Sequence, residues 1–284
     1  MIPTAFDYHR ASSIEDALTA MAAAGGHGKF VAGGHSLVPL MKLRLSEPGT
    51  LIDIARIPDL SGIREKDGQI EIGAATVHHA VATSKLLQDR CPIVSDAAAT
   101  IGDTQVRNRG TIGGSLAHAD PSADMPAVML ALDAEVQLQS AKGKRSVKAT
   151  DFFQGLFTVD LQPGEIITAV RFAPTKAAAY AKLYQKASHY AIVGIAAALD
   201  VKSGKIGAAR IALTGASTHA IRLRKLEQAL TGQTASQEAV EKAATDAGAE
   251  VQDVNSDIHA GEDYRRAMIG VFVKRALRSA LARV

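Results

Sequence analysis

Two glycine clusters, Ala32-Gly33-Gly34-His35-Ser36 and Gly110-Thr111-Ile112-Gly113-Gly114, lie in the first half of this 284-residue chain, each after an apolar run. They constrain the fold more than any other feature. Glycine lets backbone approach backbone, or a ligand, with no Cβ between them. One such turn is ordinary architecture. Two, each offering backbone N–H groups beside Ser or Thr hydroxyls, have the chemistry to hold the two ends of a pyrophosphate. Neither cluster forms a G-x-G-x-x-G fingerprint or carries a Walker A lysine, so the familiar phosphate loops are absent.

Composition narrows the function classes. With 47% apolar and 21% charged residues, the chain reads as an ordinary globular protein with ample core. A formal charge of +3, with dispersed Lys and Arg, argues against nucleic acid as the main partner. The single cysteine, Cys91, excludes an intrachain disulfide framework and any all-cysteine zinc or iron–sulfur site. The start, Met1 to Tyr8, has no signal-peptide pattern, and no apolar run reaches membrane-spanning length. The expectation is a cytoplasmic protein without a transmembrane segment.

Periodicity sketches an α/β order. Ser12-Ser13-Ile14-Glu15 reads as a capping box for a helix carrying Ile14, Leu18 and Met21, ended by Gly25-Gly26. Lys29 to Ala32 and Leu51 to Ile54 read as short strands, with a helix through Leu37, Leu40 and Met41 between them. The stretch before the first helix shows no strand signal. Gln69 to Gly73 and Ala134 to Gln139 alternate as strands, Thr76 to Leu87 reads as one helix, and Pro126 to Leu132 as a short one. Beyond Pro174 come two strand-like runs, Val193 to Val201 and Ala208 to Thr214, joined by hairpin chemistry at Lys202-Ser203-Gly204-Lys205. Thr234-Ala235-Ser236-Gln237 opens a helix expected to reach Ala249. The chain closes with a helix from Asp263 whose apolar face holds Ile269, Phe272, Val273, Ala276 and Ala280, with Lys274, Arg275, Arg278 and Arg283 on a solvated face.

Each candidate site residue also has a plainer reading. A Gly-Gly pair after a strand is commonly a tight turn. Asp120 suits a turn, and Asp124 suits the cap of the helix starting near Pro126. Carboxylates at these positions also suit ribose or ribityl hydroxyls. His78 and His79, adjacent on a helix, face different ways and make a poor metal pair; His118 and His189 lack spaced partners.

Taken together, Phe30 to Leu37 with Met41-Lys42-Leu43-Arg44, then Arg107 to Gly114 with Ala119-Asp120-Pro121 and Asp124-Met125-Pro126, resemble the FAD-binding medium subunit of molybdenum hydroxylases. The carbon monoxide dehydrogenase type is the nearer likeness and the FAD region of xanthine dehydrogenase the more distant. Lys186 to Ala191 and Asp263 to Arg266 resemble the C-terminal domain of the same family. The resemblance implies an α+β protein: a two-subdomain FAD-binding fold of the vanillyl-alcohol oxidase/PCMH type (residues 1–57 and 58–175), then a C-terminal domain (176–284) with a small antiparallel sheet and flanking helices. It further implies that Ala32, Gly33, Gly34, His35 and Ser36, with Thr111, Ile112, Gly113, Gly114 and Ser115, cradle the pyrophosphate and nearby sugar. Asp120 and Asp124 would bind ribityl or ribose hydroxyls, Tyr190 would lie near the isoalloxazine, and Ile101, Ile167 and Lys186 complete the implied set. Ser115 and His118 depart from the family, standing where many members have Asn.

The function so implied is electron transfer. A large partner would carry the molybdenum cofactor and a small partner the 2Fe-2S clusters. FAD in this chain would pass electrons to quinone, NAD or oxygen. A dimer of heterotrimers is implied, with peripheral contact to membrane electron acceptors compatible with it. The one cysteine agrees with this division, because this chain cannot hold the clusters itself. Two other readings stay open at this point: a self-contained oxidase with flavin bonded covalently to His35, and a flavin-binding protein that is no enzyme.

Overall fold

The structure, a computed structural model describing residues 2–284, arranges the chain around three main sheets that follow one another in sequence. The first is parallel, with β1 (Asp7–Arg10), β2 (Gly28–Val31) and β3 (Thr50–Asp53) in the order β1-β3-β2. Strand β1 escapes the sequence pattern because Asp-Tyr-His-Arg is a polar edge strand with nothing alternating to read. Helix α1 (Ile14–Ala23) starts one residue later than its capping box suggests. Ser13 is the N-cap, its Oγ accepting from Asp16 N at 3.1 Å, while the Asp16 carboxylate accepts from Ser12 N at 2.8 Å. Helix α2 (Leu37–Lys42) follows the first glycine cluster.

The middle unit holds an antiparallel sheet whose two halves are separated by helices. Strands β4 (Ile63–Lys66) and β5 (Gln69–Gly73) precede α3 (His78–Thr83), α4 (Lys85–Arg90), α5 (Pro92–Thr100), α6 (Thr104–Arg107), α7 (Ile112–His118) and α8 (Asp124–Ala131). Then come β6 (Glu135–Ser140), β7 (Gly143–Lys148), α9 (Ala149–Phe152), a hairpin of β8 (Phe153–Gly155) with β9 (Thr158–Val159), and β10 (Ile166–Phe172). The sheet order is β4-β5-β10-β6-β7. The helix expected over 76–87 is two helices, because Ser84 leaves the helical region and its Oγ accepts from Leu87 N to cap α4. Asp124 stands inside α8, whose N-cap is Ala123, so it does not cap that helix.

The last unit is an antiparallel sheet of β11 (Ala178–Tyr184), β12 (Ala191–Lys202), β13 (Lys205–Thr214) and β14 (Ile221–Arg222), with α10 (Arg224–Leu230), α11 (Gln237–Ala243) and α12 (Glu262–Leu281). Ser203 and Gly204, both at positive φ, make the β12–β13 turn as their residue types demand. Helix α11 stops at Ala243 rather than Ala249, and a 3-10 turn over Ala247–Glu250 takes its place. All five residues assigned to the apolar face of the closing helix are buried. Two of its basic residues are engaged rather than simply solvated: Arg283 donates to Ala178 O and Asp96, and Arg278 pairs with Glu241. The alternation of β12 couples the units. Ala196 and Ala198 join the core of the middle unit, whereas Ile195, Ala197 and Leu199 join the core shared with α12.

Arg265, in the first turn of α12, ties this unit together. Its side chain is 3% exposed. It donates to the carbonyls of Ala260 (3.2 Å), Ile192 (2.7 Å) and Gly215 (2.8 Å), and to Asp257 at 2.6 Å. Replacing Arg265 with Met strands buried carbonyl oxygens, and we expect a loss of about 2–4 kcal/mol in unfolding free energy. A urea denaturation midpoint equal to that of the parent chain would contradict this role.

Candidate functional site

A cavity of about 720 Å³ opens where the three units meet. The two glycine clusters form one wall by touching each other. A Cβ on Gly33 would overlap the carbonyl oxygen of Arg109 and lie 2.8 Å from Gly110 Cα, so only glycine permits the β2–α2 turn to rest on the α6–α7 turn. Among the described residues, Gly33, Gly34, His35 and Ser36 give no backbone amide to any carbonyl of the chain, and the Ser36 hydroxyl makes no capping bond. This turn is therefore a set of free donors facing a cavity.

The second cluster differs from expectation. Its amides are used internally: Ile112 N donates to Thr76 O (3.1 Å), Gly113 N to Ala74 O (2.8 Å), Gly114 N to Thr111 Oγ1 (3.1 Å) and Ser115 N to Thr111 O (3.0 Å). Gly113 serves close packing, since a Cβ there would sit 2.5 Å from that of Ala74. The cluster gives the cavity Gly110, Thr111, Gly114 and Ser115, whereas Ile112 is buried in the core.

The cavity is also bordered by two carboxylates, Asp120 and Asp124. Asp120 accepts from Ser122 N at 2.8 Å, and its other oxygen lies 4.0 Å from His118 Nε2. The loop carrying it is bonded to the third sheet: Gly215 N donates to Pro121 O, Ala191 N to Ser122 O, and the Thr214 hydroxyl lies 2.8 Å from the carbonyl oxygens of Pro121 and Ala123. Asp124 is buried and accepts from the Tyr180 hydroxyl (2.5 Å) and Lys182 Nζ (3.0 Å); Lys182 also donates to Thr100 O. Burial pushes the Asp124 carboxyl above its ordinary range, opposed by the Lys182 charge and the Tyr180 hydrogen bond. Burial, together with the Asp124 carboxylate, pushes the Tyr180 hydroxyl well up. Tyr190 borders the same end, its hydroxyl raised by partial burial and by Asp120 and Asp124.

Ala32, Gly33, Gly34, His35, Ser36, Ile101, Asp120, Asp124 and Tyr190 thus share one cavity with Thr111, Gly114 and Ser115. Four expected residues do not line it. Ile112, Gly113 and Ile167 are packed into the middle unit, and Lys186 is exposed on the β11–β12 turn, two residues before Ser188, which does line it. The cavity adds residues outside the expected set. Phe157, at the tip of the β8–β9 hairpin, packs on His118 with ring centroids 5.1 Å apart. His189 fills the space a side chain on Gly102 would need, and His78 borders the glycine wall. Tyr180 and Lys182 had one available signal, polar residues at alternating positions of a strand, which places them on one face.

Among the described residues no group of three His, Cys, Asp or Glu could hold a metal, and Cys91 is buried, its thiol pushed up to about 12 by burial. Among the described residues, no helix is long and apolar enough to cross a membrane. The residues present fit a flavin dinucleotide: free amides for an anion and, on Asp120, a carboxylate oxygen free for a hydroxyl, in a volume suited to a large ligand.

Residues 4–175 match the family described as the FAD-binding domain in molybdopterin dehydrogenase, and residues 178–280 the CO dehydrogenase flavoprotein C-terminal domain. The chain is 41% identical to the carbon monoxide dehydrogenase medium chain of Hydrogenophaga pseudoflava, covering 100% of this chain and 99% of the relative. It is also 41% identical to the 6-hydroxypseudooxynicotine dehydrogenase complex subunit alpha of Paenarthrobacter nicotinovorans, over 100% and 97%. A solved structure of carbon monoxide dehydrogenase from Hydrogenophaga pseudoflava superposes with a TM-score of 0.94 at 41% identity, over 100% of this chain and 99% of that one. Quinoline 2-oxidoreductase from Pseudomonas putida 86 superposes at 0.92 with 32% identity, over 99% of both. The chain belongs to the FAD-binding medium subunits of the molybdenum hydroxylases, oxidoreductase subunits of the carbon monoxide dehydrogenase type.

Proposed function

We propose that this chain holds FAD non-covalently in the cavity between its three units and works as the electron-transfer subunit of a dimer of heterotrimers. The observation that carries this reading is that free amides at Gly33 to Ser36 and the Asp120 carboxylate, which keeps an oxygen free, border one cavity. FAD bound there would supply two-electron storage, filled from 2Fe-2S clusters of a small subunit and emptied to an external acceptor. The molybdenum cofactor would sit in the large subunit, and any membrane contact would be peripheral.

The residues of this chain would bind and orient. The amides of Gly33, Gly34, His35 and Ser36 point to the pyrophosphate, with the hydroxyls of Ser36, Thr111 and Ser115 beside it. Asp120 has an oxygen free of the Ser122 amide to accept from a ribityl or ribose hydroxyl. Asp124, already bonded to Tyr180 and Lys182, acts mainly by fixing the start of α8 against β11. Tyr190 offers a half-exposed ring for packing against the isoalloxazine. Substrate choice falls to the large partner, consistent with relatives that serve chemically unrelated substrates.

Acid precipitation of the yellow protein should release FAD into the supernatant. Flavin retained in the pellet would show that the cofactor is bonded covalently to the protein and overturn this reading. Gly33→Val forces the two turns apart, and we expect FAD occupancy of the purified complex to fall about tenfold or more. Gly113→Val acts on packing, so its first effect should be a lower melting temperature. Full FAD occupancy in Gly33→Val would show that the wall of the cavity does not hold the cofactor.

A further inference from the structure

We propose that His78 is a further FAD-binding residue, a neutral imidazole whose Nε2–H donates to an oxygen of the cofactor's pyrophosphate. This rests on the reading above that the cavity holds FAD. His78 opens α3, and its backbone N donates to Gly110 O at 2.9 Å, which fixes the residue to the second glycine cluster. The side chain is almost fully buried, at 4% exposure, yet it borders the cavity. Its Nδ1 is sealed from solvent with no hydrogen-bond partner among the described residues.

That orphaned nitrogen determines the tautomer. A buried N–H without an acceptor is costlier than a buried lone pair without a donor, so the ring proton resides on Nε2. The Cδ2–Nε2 edge is the one that faces Gly110: a Cβ there would lie 3.1 Å from Cδ2 and 3.6 Å from Nε2. Glycine at 110 therefore leaves the donating edge of the ring uncovered at the cavity wall. Burial holds the imidazole pKa down at about 4, with the nearby His35 adding repulsion, so the ring stays neutral at physiological pH.

The neighbours decide which part of FAD it meets. His78 feels His35, the residue amid the free amides, whereas the carboxylates Asp120 and Asp124 act on Tyr190 instead. A neutral donor beside four free amides extends an anion-binding set. It brings no second cation to be desolvated with the phosphate.

Two substitutions separate the ring nitrogens. The amide of His78→Gln reaches the position of Nε2, and that of His78→Asn reaches only Nδ1. With the flavin-stripped full chain, FAD binding would be titrated by flavin fluorescence, and ADP, which carries a pyrophosphate but no flavin, would be used as competitor. We expect His78→Asn to weaken both FAD and ADP about tenfold, and His78→Gln to bind both within about threefold of the parent. The melting temperatures of the stripped chains should match. An Asn variant that binds FAD as the parent does would overturn the proposal, as would a Gln variant as weak as the Asn one. Weakened FAD with unchanged ADP would move the contact off the pyrophosphate and overturn it too, as would loss of affinity that tracks a fall in melting temperature. A parent chain that fails to take up FAD would instead overturn the function proposed above.

Discussion

The cavity depends on one contact in which no side chain takes part. The turn after β2 lies directly on the backbone of Arg109 and Gly110, and the space between them is smaller than a methyl group. Side chains in such a seam would need accommodating shifts in both turns, and interiors packed at crystal-like density absorb such shifts poorly. With the seam closed, the first unit meets the middle one at a fixed height. The amides of residues 33–36 then face the cavity instead of a neighbouring carbonyl. Donors that no carbonyl of the chain takes are available to a bound anion.

The far wall is built on the opposite electrostatic plan. Asp124, Tyr180 and Lys182 form a buried set in which a carboxylate is held by one cation and one hydroxyl. Removing charges from water is costly, and such a set is stable only when its hydrogen-bonding capacity is filled, as the additional bond from Lys182 to Thr100 O does here. The set braces β11 against the start of α8, which is where the loop bearing Asp120 ends. Asp120 remains partly exposed, with capacity to spare. One carboxylate is thus structural in its bonding and the other is available, although their spacing in the sequence makes them look alike.

What could be read in advance follows from range. The Ser203-Gly204 turn and the apolar face of α12 are each decided by residues within a few positions of one another, and each formed as read. The paired clusters together with Asp120, Asp124 and Tyr190 were legible as a set through family resemblance, and they do share one cavity. Features decided by distant residues were not legible. Strand β1 exists because β3 lies beside it, and Tyr180 and Lys182 acquire meaning only when β11 comes within hydrogen-bond reach of Asp124. His78 looked idle on a short helix because its counterpart, the bare backbone of Gly110, lies thirty-two residues away and leaves no chemical mark of its own. Ile112 and Ile167, named by the same resemblance, have their side chains in the core of this fold.

The loop from Asp120 to Ala123 belongs by sequence to the middle unit, but its carbonyls are held by Thr214, Gly215 and Ala191 of the third sheet. Gly215 is held in turn by Arg265 on the closing helix. The chain is therefore less modular than its three sheets suggest. A graft that exchanged the last hundred residues for those of a distant relative would keep every residue of the glycine wall and still disturb the acidic end, unless the β13 end and the closing-helix arginine travelled together with a matching loop. The unit of inheritance for this site is that long-range circuit, which no single domain contains.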